Sequence, residues 1–175
     1  MGIEIEKKFL VVGDAWRHSQ DRIVMKQAYL STDPARTVRV RLEGQRAELT
    51  IKGKSQGATR AEFNYAIPRE DAAALLALAR GHAIEKTRFR VRIANFVWEV
   101  DEFSGVNAGL VVAEVETDSE DALKQAAANR PNWVGRDVSD DARLYNAALA
   151  ERPFATWPED ERSALLTSAS AEEAP

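Results

Sequence analysis

The feature that most restricts the fold of this chain is an alternation of apolar and ionic side chains, repeated along eight short segments. In an extended strand successive side chains point to opposite faces, so each such segment separates into two rows. The apolar row holds Ile3, Ile5 and Phe9; Val38, Val40 and Leu42; Leu49 and Ile51; Phe63 and Tyr65; Phe89, Val91 and Ile93; and Trp98 and Val100. The opposite row is ionic. Glu4, Glu6 and Lys8 stand in the first segment, Arg39 and Arg41 in the third, and Glu48 and Lys52 flank Thr50 in the fourth. Arg60 and Glu62 follow in the fifth, Lys86, Arg88, Arg90 and Arg92 in the sixth, Glu99 and Asp101 in the seventh, and Glu114 and Glu116 in the eighth.

The period-two segments span 3–12, 23–31, 37–42, 47–52, 60–67, 84–93, 96–103 and 110–117, separated by Gly, Asn, Asp and Pro turn chemistry. Eight strands with short connections predict an antiparallel meander, and eight are enough to close a barrel. The interruption at 69–80 reads as a helix: it follows Pro68, opens with Glu70 and Asp71, and stops at Gly81. After Thr117 the pattern becomes helical. Ser119 and Ser139 are N-cap candidates for helices over 119–128 and 139–151, and Thr156 with Glu159 has capping-box spacing. The expected class is α+β, a closed eight-stranded antiparallel barrel with a charged lumen and flanking helices. One domain is expected over 1–155, followed by a C-terminal helical extension and disordered tail over 156–175.

Composition narrows the chemistry. With no cysteine in 175 residues, disulfides, thiolate zinc sites and thiol nucleophiles are excluded. A net charge of −4 lacks the basic footprint of a nucleic-acid binder. No apolar run reaches the ~18 residues of a membrane-spanning helix, and the charged N-terminus does not read as a targeting peptide. A cytoplasmic protein is expected, without nucleic-acid or membrane partners.

Two readings meet the ionic row. A half-solvated sheet would cover its apolar face with helices and leave the other face to water. Solvated strand faces, however, mix in Thr, Ser and Gln, whereas this one is almost purely charged and blocked by strand. Carboxylates dominate the first, seventh and eighth segments, and guanidinium or ammonium groups the third and sixth. If the sheet closes, these charges line its lumen and need a ligand, because burying them without partners is costly. Clustered Arg and Lys suit a compact polyanion, with Arg offering bidentate contacts to phosphate. Carboxylates beside phosphate require an intervening cation. Glu4, Glu6, Glu114 and Glu116 supply only hard oxygen ligands, which points to Mg²⁺ or Mn²⁺. Cations for phosphate and acids for a metal are what phosphoryl transfer requires.

The segment Glu4-Ile5-Glu6-Lys7-Lys8 has the form ExExK. It is followed in order by Tyr29, Val38-Arg39-Val40-Arg41, Leu49-Thr50-Ile51-Lys52-Gly53, Arg60-Ala61-Glu62 and Glu85-Lys86-Thr87-Arg88. Trp98-Glu99-Val100-Asp101 and Ala113-Glu114-Val115-Glu116 complete the series. In these motifs, over about 1–153, the chain resembles the CYTH superfamily, the triphosphate tunnel metalloenzymes, and among them the short bacterial inorganic triphosphatases. The resemblance implies an eight-stranded tunnel that binds a triphosphate end-on. By matching position it implies that Lys8, Tyr29, Arg39, Arg41, Lys52, Lys86 and Arg88 bind phosphate. Glu4, Glu6, Glu114 and Glu116 would hold the metal, with two ions in the active complex. Lys86, Glu116 and Glu4 would carry catalysis, Lys86 by positioning the attacking water, and Arg60, Glu62, Arg90 and Asp101 would support them. Asn64 departs from the family pattern, where relatives often carry a second acid.

The expected activity is cleavage of the terminal phosphoanhydride of inorganic tripolyphosphate, with nucleoside triphosphates secondary. Adenylyl cyclisation of the class IV type and thiamine triphosphate hydrolysis would need a base or ring site at the tunnel mouth, which no loop announces. A polyphosphate-binding module without catalysis would not need so many carboxylates. Gly53-Lys54-Ser55 lacks the first glycine of a P-loop, and His18 and His82 have no metal-ligand spacing. Whether the chain forms a homodimer is left open.

Overall fold

Hydrogen bonding joins nine strands of the computed structural model into one antiparallel sheet, in the order β5-β4-β3-β2-β6-β7-β8-β1-β9. The structure describes residues 5–33, 35–54 and 61–170. The strands are β1 (Ile5–Val11), β2 (Arg22–Ser31), β3 (Arg36–Glu43), β4 (Arg46–Gly53), β5 (Glu62–Ala66), β6 (Arg80–Ile93), β7 (Phe96–Ser104), β8 (Val111–Thr117) and β9 (Val134–Asp137). All eight expected strands form. The ninth is a four-residue segment, Val-Gly-Arg-Asp, too short for alternation to reveal. It corrects the expected closed barrel. β9 occupies the edge of β1 that closure would have given to β5, and among the described residues β5 and β9 are the two ends of the sheet.

Register keeps the ionic row on one face. Arg41 pairs with Glu48, Lys52 with Glu62, Arg88 with Asp101, Arg90 with Glu99, and Lys8 with Glu114. A slip of one residue in any strand would invert its row.

The apolar face is covered by two helices. Helix α1 (Arg69–Ala77) sets Ala72 against Val40 and Ala47 of β3 and β4. It ends earlier than its sequence pattern suggests because Arg80 pairs with Tyr29 and is drawn into β6. Helix α2 (Glu120–Ala128) begins as expected, the Ser119 hydroxyl accepting from the Ala122 N–H at 3.2 Å. It lays Leu123 and Ala126 over Phe9, Trp98 and Val115. The Trp98 ring lies 5.6 Å from that of Phe9, tilted against it, and 6.1 Å from that of Trp133, edge to face. On β5 the expected burial does not occur: Phe63 and Tyr65 are 53% and 52% exposed.

The ionic face turns apolar at one end. Leu10, Tyr29, Ile84, Phe103 and Val112 form a buried cluster there with Leu144, Leu149, Phe154, Trp157 and Leu165. The C-terminal segment that supplies this cover contains α3 (Asn146–Glu151) and α4 (Glu159–Thr167). Each large side chain buried there contributes on the order of 1.5–3 kcal/mol. Two glycines permit the approach. Gly81, at φ +74°, lies where a Cβ would come within 2.6 Å of the Ala150 oxygen, and a Cβ on Gly135 would overlap the Ala169 oxygen. Two expected caps fail here. The Ser139 hydroxyl accepts from the Lys8 N–H at 3.0 Å instead of starting a helix, and the Thr156 hydroxyl donates to the Pro153 oxygen at 2.7 Å. Of the expected tail, 171–175 lies outside the described residues.

Candidate active site

The ionic face encloses a cavity of about 660 Å³, lined by side chains from β1 to β8 and by Tyr145, Asn146 and Ala147 of the C-terminal segment. β6 runs its depth. Ile84 is fully buried in the apolar cluster, and the next inward side chains are 2% exposed at Lys86, 12% at Arg88 and 32% at Arg90. The site is therefore blind at the C-terminal cluster and opens at Arg90.

At the blind end Asp101, fully buried, holds two cations. Its carboxylate accepts from Lys86 Nζ, and from Arg88 Nε and one terminal nitrogen of Arg88, both at 2.7 Å. Burial alone would push the Asp101 carboxyl up, but the Lys86 ammonium and Arg88 guanidinium outweigh it and hold the pKa at about 2. Burial pushes the Lys86 ammonium down, helped by Arg88 and opposed by Asp101 and Glu114. Arg88 also contacts Glu114 at 2.9 Å and Glu99, and Asp101, with these two carboxylates behind it, raises its pKa against the effect of burial. Lys8 Nζ lies 3.0 Å from Glu114, donates to the Leu144 oxygen at 3.2 Å and sits 5.6 Å from the Tyr145 ring. The C-terminal cover is thereby tied to the ionic wall.

The opposite wall is a hydrogen-bond relay. Arg39 donates to Thr50 at 3.1 Å, Thr50 to Asn64 at 2.8 Å, and Asn64 to Glu62 at 3.1 Å. Glu62 pairs with Lys52 at 2.7 Å. Asn64 passes the relay on, accepting from Thr50 and donating to Glu62. Arg41 lies 3.2 Å from Glu48 and 3.6 Å from Glu43, and the Nε atoms of Arg39 and Arg41 are enclosed without a hydrogen-bond partner among the described residues. Burial, then Arg41, lower the Arg39 pKa. Tyr29 is buried beside them. Burial raises its pKa, and its hydroxyl accepts from Gln27 at 3.4 Å.

Of the sequence-derived candidates, Lys8, Tyr29, Arg39, Arg41, Lys52, Glu62, Lys86, Arg88, Arg90, Glu114, Glu116 and Glu6 border this cavity, with Asp101 behind it. Glu4 and Arg60 lie outside the described residues. Glu6 and Glu116 stand directly opposite each other, as do Glu99 and Glu114. Among the described residues no three acidic side chains converge as a ready-made metal cluster, because Glu114 is turned to Lys8 and Arg88. Gln27, Thr37 and Glu43, whose inward parity is visible in the sequence, also line the cavity, as do Tyr145 and Asn146, whose place there depends on the chain's return.

The CYTH domain model matches residues 2–146. An inorganic triphosphatase of Acetivibrio thermocellus is 41% identical over 160 residues, spanning 91% of this chain and 100% of that one. An inorganic triphosphatase of Nitrosomonas europaea is 35% identical over 151 residues, 84% of this chain and 96% of its own. The crystal structure of the inorganic triphosphatase NE1496 superposes with a TM-score of 0.65 at 32% identity, covering 86% of this chain and 95% of the other. With its ionic cavity in place and its family model matched over most of its length, this chain belongs to the CYTH domain family.

Proposed function

We propose that the protein is a metal-dependent inorganic triphosphatase, cleaving the terminal phosphoanhydride of tripolyphosphate into pyrophosphate and phosphate. The observation that carries this reading is the blind-ended cavity, in which Lys8, Arg39, Lys86 and Arg88 converge from separate strands. Its relatives over most of their length are named inorganic triphosphatases. Lys8, Tyr29, Arg39, Arg41, Lys52, Lys86 and Arg88 bind the phosphates. Among the described residues the enclosed Nε groups of Arg39 and Arg41 have no acceptor, which a bound phosphate oxygen would supply. Lys86, the deepest cation, stabilises charge on the phosphoryl group being transferred and positions the attacking water. Asp101 and Glu62 hold the cations in place, and Arg60 and Arg90 support them.

The donor set fits a hard divalent cation. Like charges directly opposite across strands are unfavourable, and Glu6 stands opposite Glu116, whereas Arg88 already bridges Glu99 and Glu114. Glu4, Glu6, Glu114 and Glu116 would hold Mg²⁺ or Mn²⁺, two ions in the active complex, all through carboxylate oxygen. When bound, such a cation neutralises phosphate oxygens and lowers the pKa of water. The aromatic side chains among the described lining residues are Tyr29, which is buried, and Tyr145, which is half exposed beside Lys8.

The test is phosphate release by the purified protein from tripolyphosphate, ATP, thiamine triphosphate and pyrophosphate, with Mg²⁺ and with EDTA. Preferred, EDTA-sensitive cleavage of tripolyphosphate is expected. Cyclic AMP from ATP without phosphate release would overturn the reading.

A further inference from the structure

Two arginines two residues apart on β6 are held in different ways. Arg88 is 12% exposed and has contacts of 2.7, 2.7 and 2.9 Å to Asp101 and Glu114. Arg90 is 32% exposed and divides its guanidinium among three carboxylates, one nitrogen to each. Its contacts are 3.2 Å to Glu43 on β3, 3.2 Å to Glu99 on β7, and 3.7 Å to Asp21 before β2. The contact to the exposed Asp21 contributes about 0–1 kcal/mol, and the single-nitrogen contacts to Glu43 and Glu99, at 3.2 Å, are longer than those that hold Arg88, so Arg90 exchanges partners at lower cost than Arg88. Arg88 is a fixture, whereas Arg90 is free to change partners. It is also the outermost cation of its row that lines the cavity.

We propose that Arg90 sets the preference for inorganic over organic triphosphates by reading the charge of the outermost phosphate. The proposal rests on the triphosphatase reading. One terminal phosphate enters the blind end, which leaves the far end of the substrate at the mouth. In an inorganic triphosphate that far end is a second terminal phosphate with an extra ionisable oxygen, whose pKa lies near 6. In a nucleotide the same position carries an ester and one charge fewer. Arg90 gains an additional partner only from the first. Glu43 and Glu99 keep the guanidinium at the rim until that partner arrives.

The experiment compares wild type, Arg90→Gln and Arg90→Lys by calorimetric titration with tripolyphosphate and with ATP in EDTA, and by kcat/KM with Mg²⁺. Loss of one cation–anion contact at a partly exposed site predicts about tenfold weaker tripolyphosphate binding in Arg90→Gln, against less than about threefold for ATP. Arg90→Lys recovers part of the difference. A tripolyphosphate-to-ATP affinity ratio unchanged within about twofold overturns the proposal, whether both ligands weaken or neither does. Wild type that releases no phosphate would sink the triphosphatase reading, while the EDTA titrations still decide the role of Arg90. Wild type that binds no tripolyphosphate overturns both.

Discussion

Asp101 faces Arg88 across the β6/β7 pair and accepts from it at two nitrogens, both at 2.7 Å, while also holding Lys86. One fully buried carboxylate thereby fixes the two cations that line the deepest part of the cavity. Removing it would leave two buried positive charges short of their counter-ion.

Asp101→Asn is therefore expected to destabilise the protein by about 3–5 kcal/mol near neutral pH. The sign of its pH dependence follows from the depressed pKa, about 2 against an ordinary 3.8. The ionised carboxylate stabilises the fold above pH 3.8, and that contribution fades as pH falls through about 2. Urea unfolding from pH 6 down to pH 2 should show the wild-type and variant midpoints converging at the acid end. A constant gap would contradict the assigned ionisation.

Lys86→Met keeps the shape of the side chain and removes its charge. Loss of a preorganised cation at the transferred phosphoryl group predicts a fall in kcat of about 100-fold or more, with KM changing far less. Because Lys86 is a buried partner of Asp101, the variant should also melt at lower temperature. Steady-state phosphate release and a thermal melt separate the two effects. An unchanged kcat would remove Lys86 from catalysis.

Glu116→Gln takes one carboxylate from the pair opposed across β1 and β8. If Glu116 holds a divalent cation, Mg²⁺ should raise the wild-type Tm by mass action and raise that of the variant much less. Turnover should fall about tenfold or more and require a higher Mg²⁺ concentration. Equal Mg²⁺ shifts in both proteins would exclude a ligand role.

Gly135→Ala tests the seat of the C-terminal cover. The added methyl would overlap the Ala169 oxygen, and forced repacking of this kind costs about 1–3 kcal/mol. A lowered Tm with faster proteolytic cutting after 150 is the expected result. Wild-type resistance would mean that the approach relaxes without cost.

The ionic face was legible because parity alone assigns it. Lys86, Arg88 and Arg90 sit at alternate positions, and the register places Glu99 and Asp101 opposite two of them. What parity could not give was the change of character along a single row. Leu10, Ile84 and Phe103 continue the inward rows of Lys8, Lys86 and Asp101, yet they belong to a core built with residues more than forty positions away. Local spacing carries no information about that long-range cover, or about Ser139 serving the Lys8 backbone rather than a helix. Phe63 and Tyr65 mislead for the same reason: their alternation is real, but α1 covers β3 and β4 and leaves them exposed.

Because Lys86, Arg88 and Arg90 share one strand, their number can change only in steps of two residues. A single insertion between them would turn the outer members into the aromatic core around Phe89 and Trp98. A double insertion would add a rung about 6.7 Å further out and keep every side chain on its face, with its cross-strand partners displaced by two positions. Lineages that adapt this scaffold to longer or shorter anions should therefore differ inside this strand by even numbers of residues, while the loops between strands vary without such a constraint.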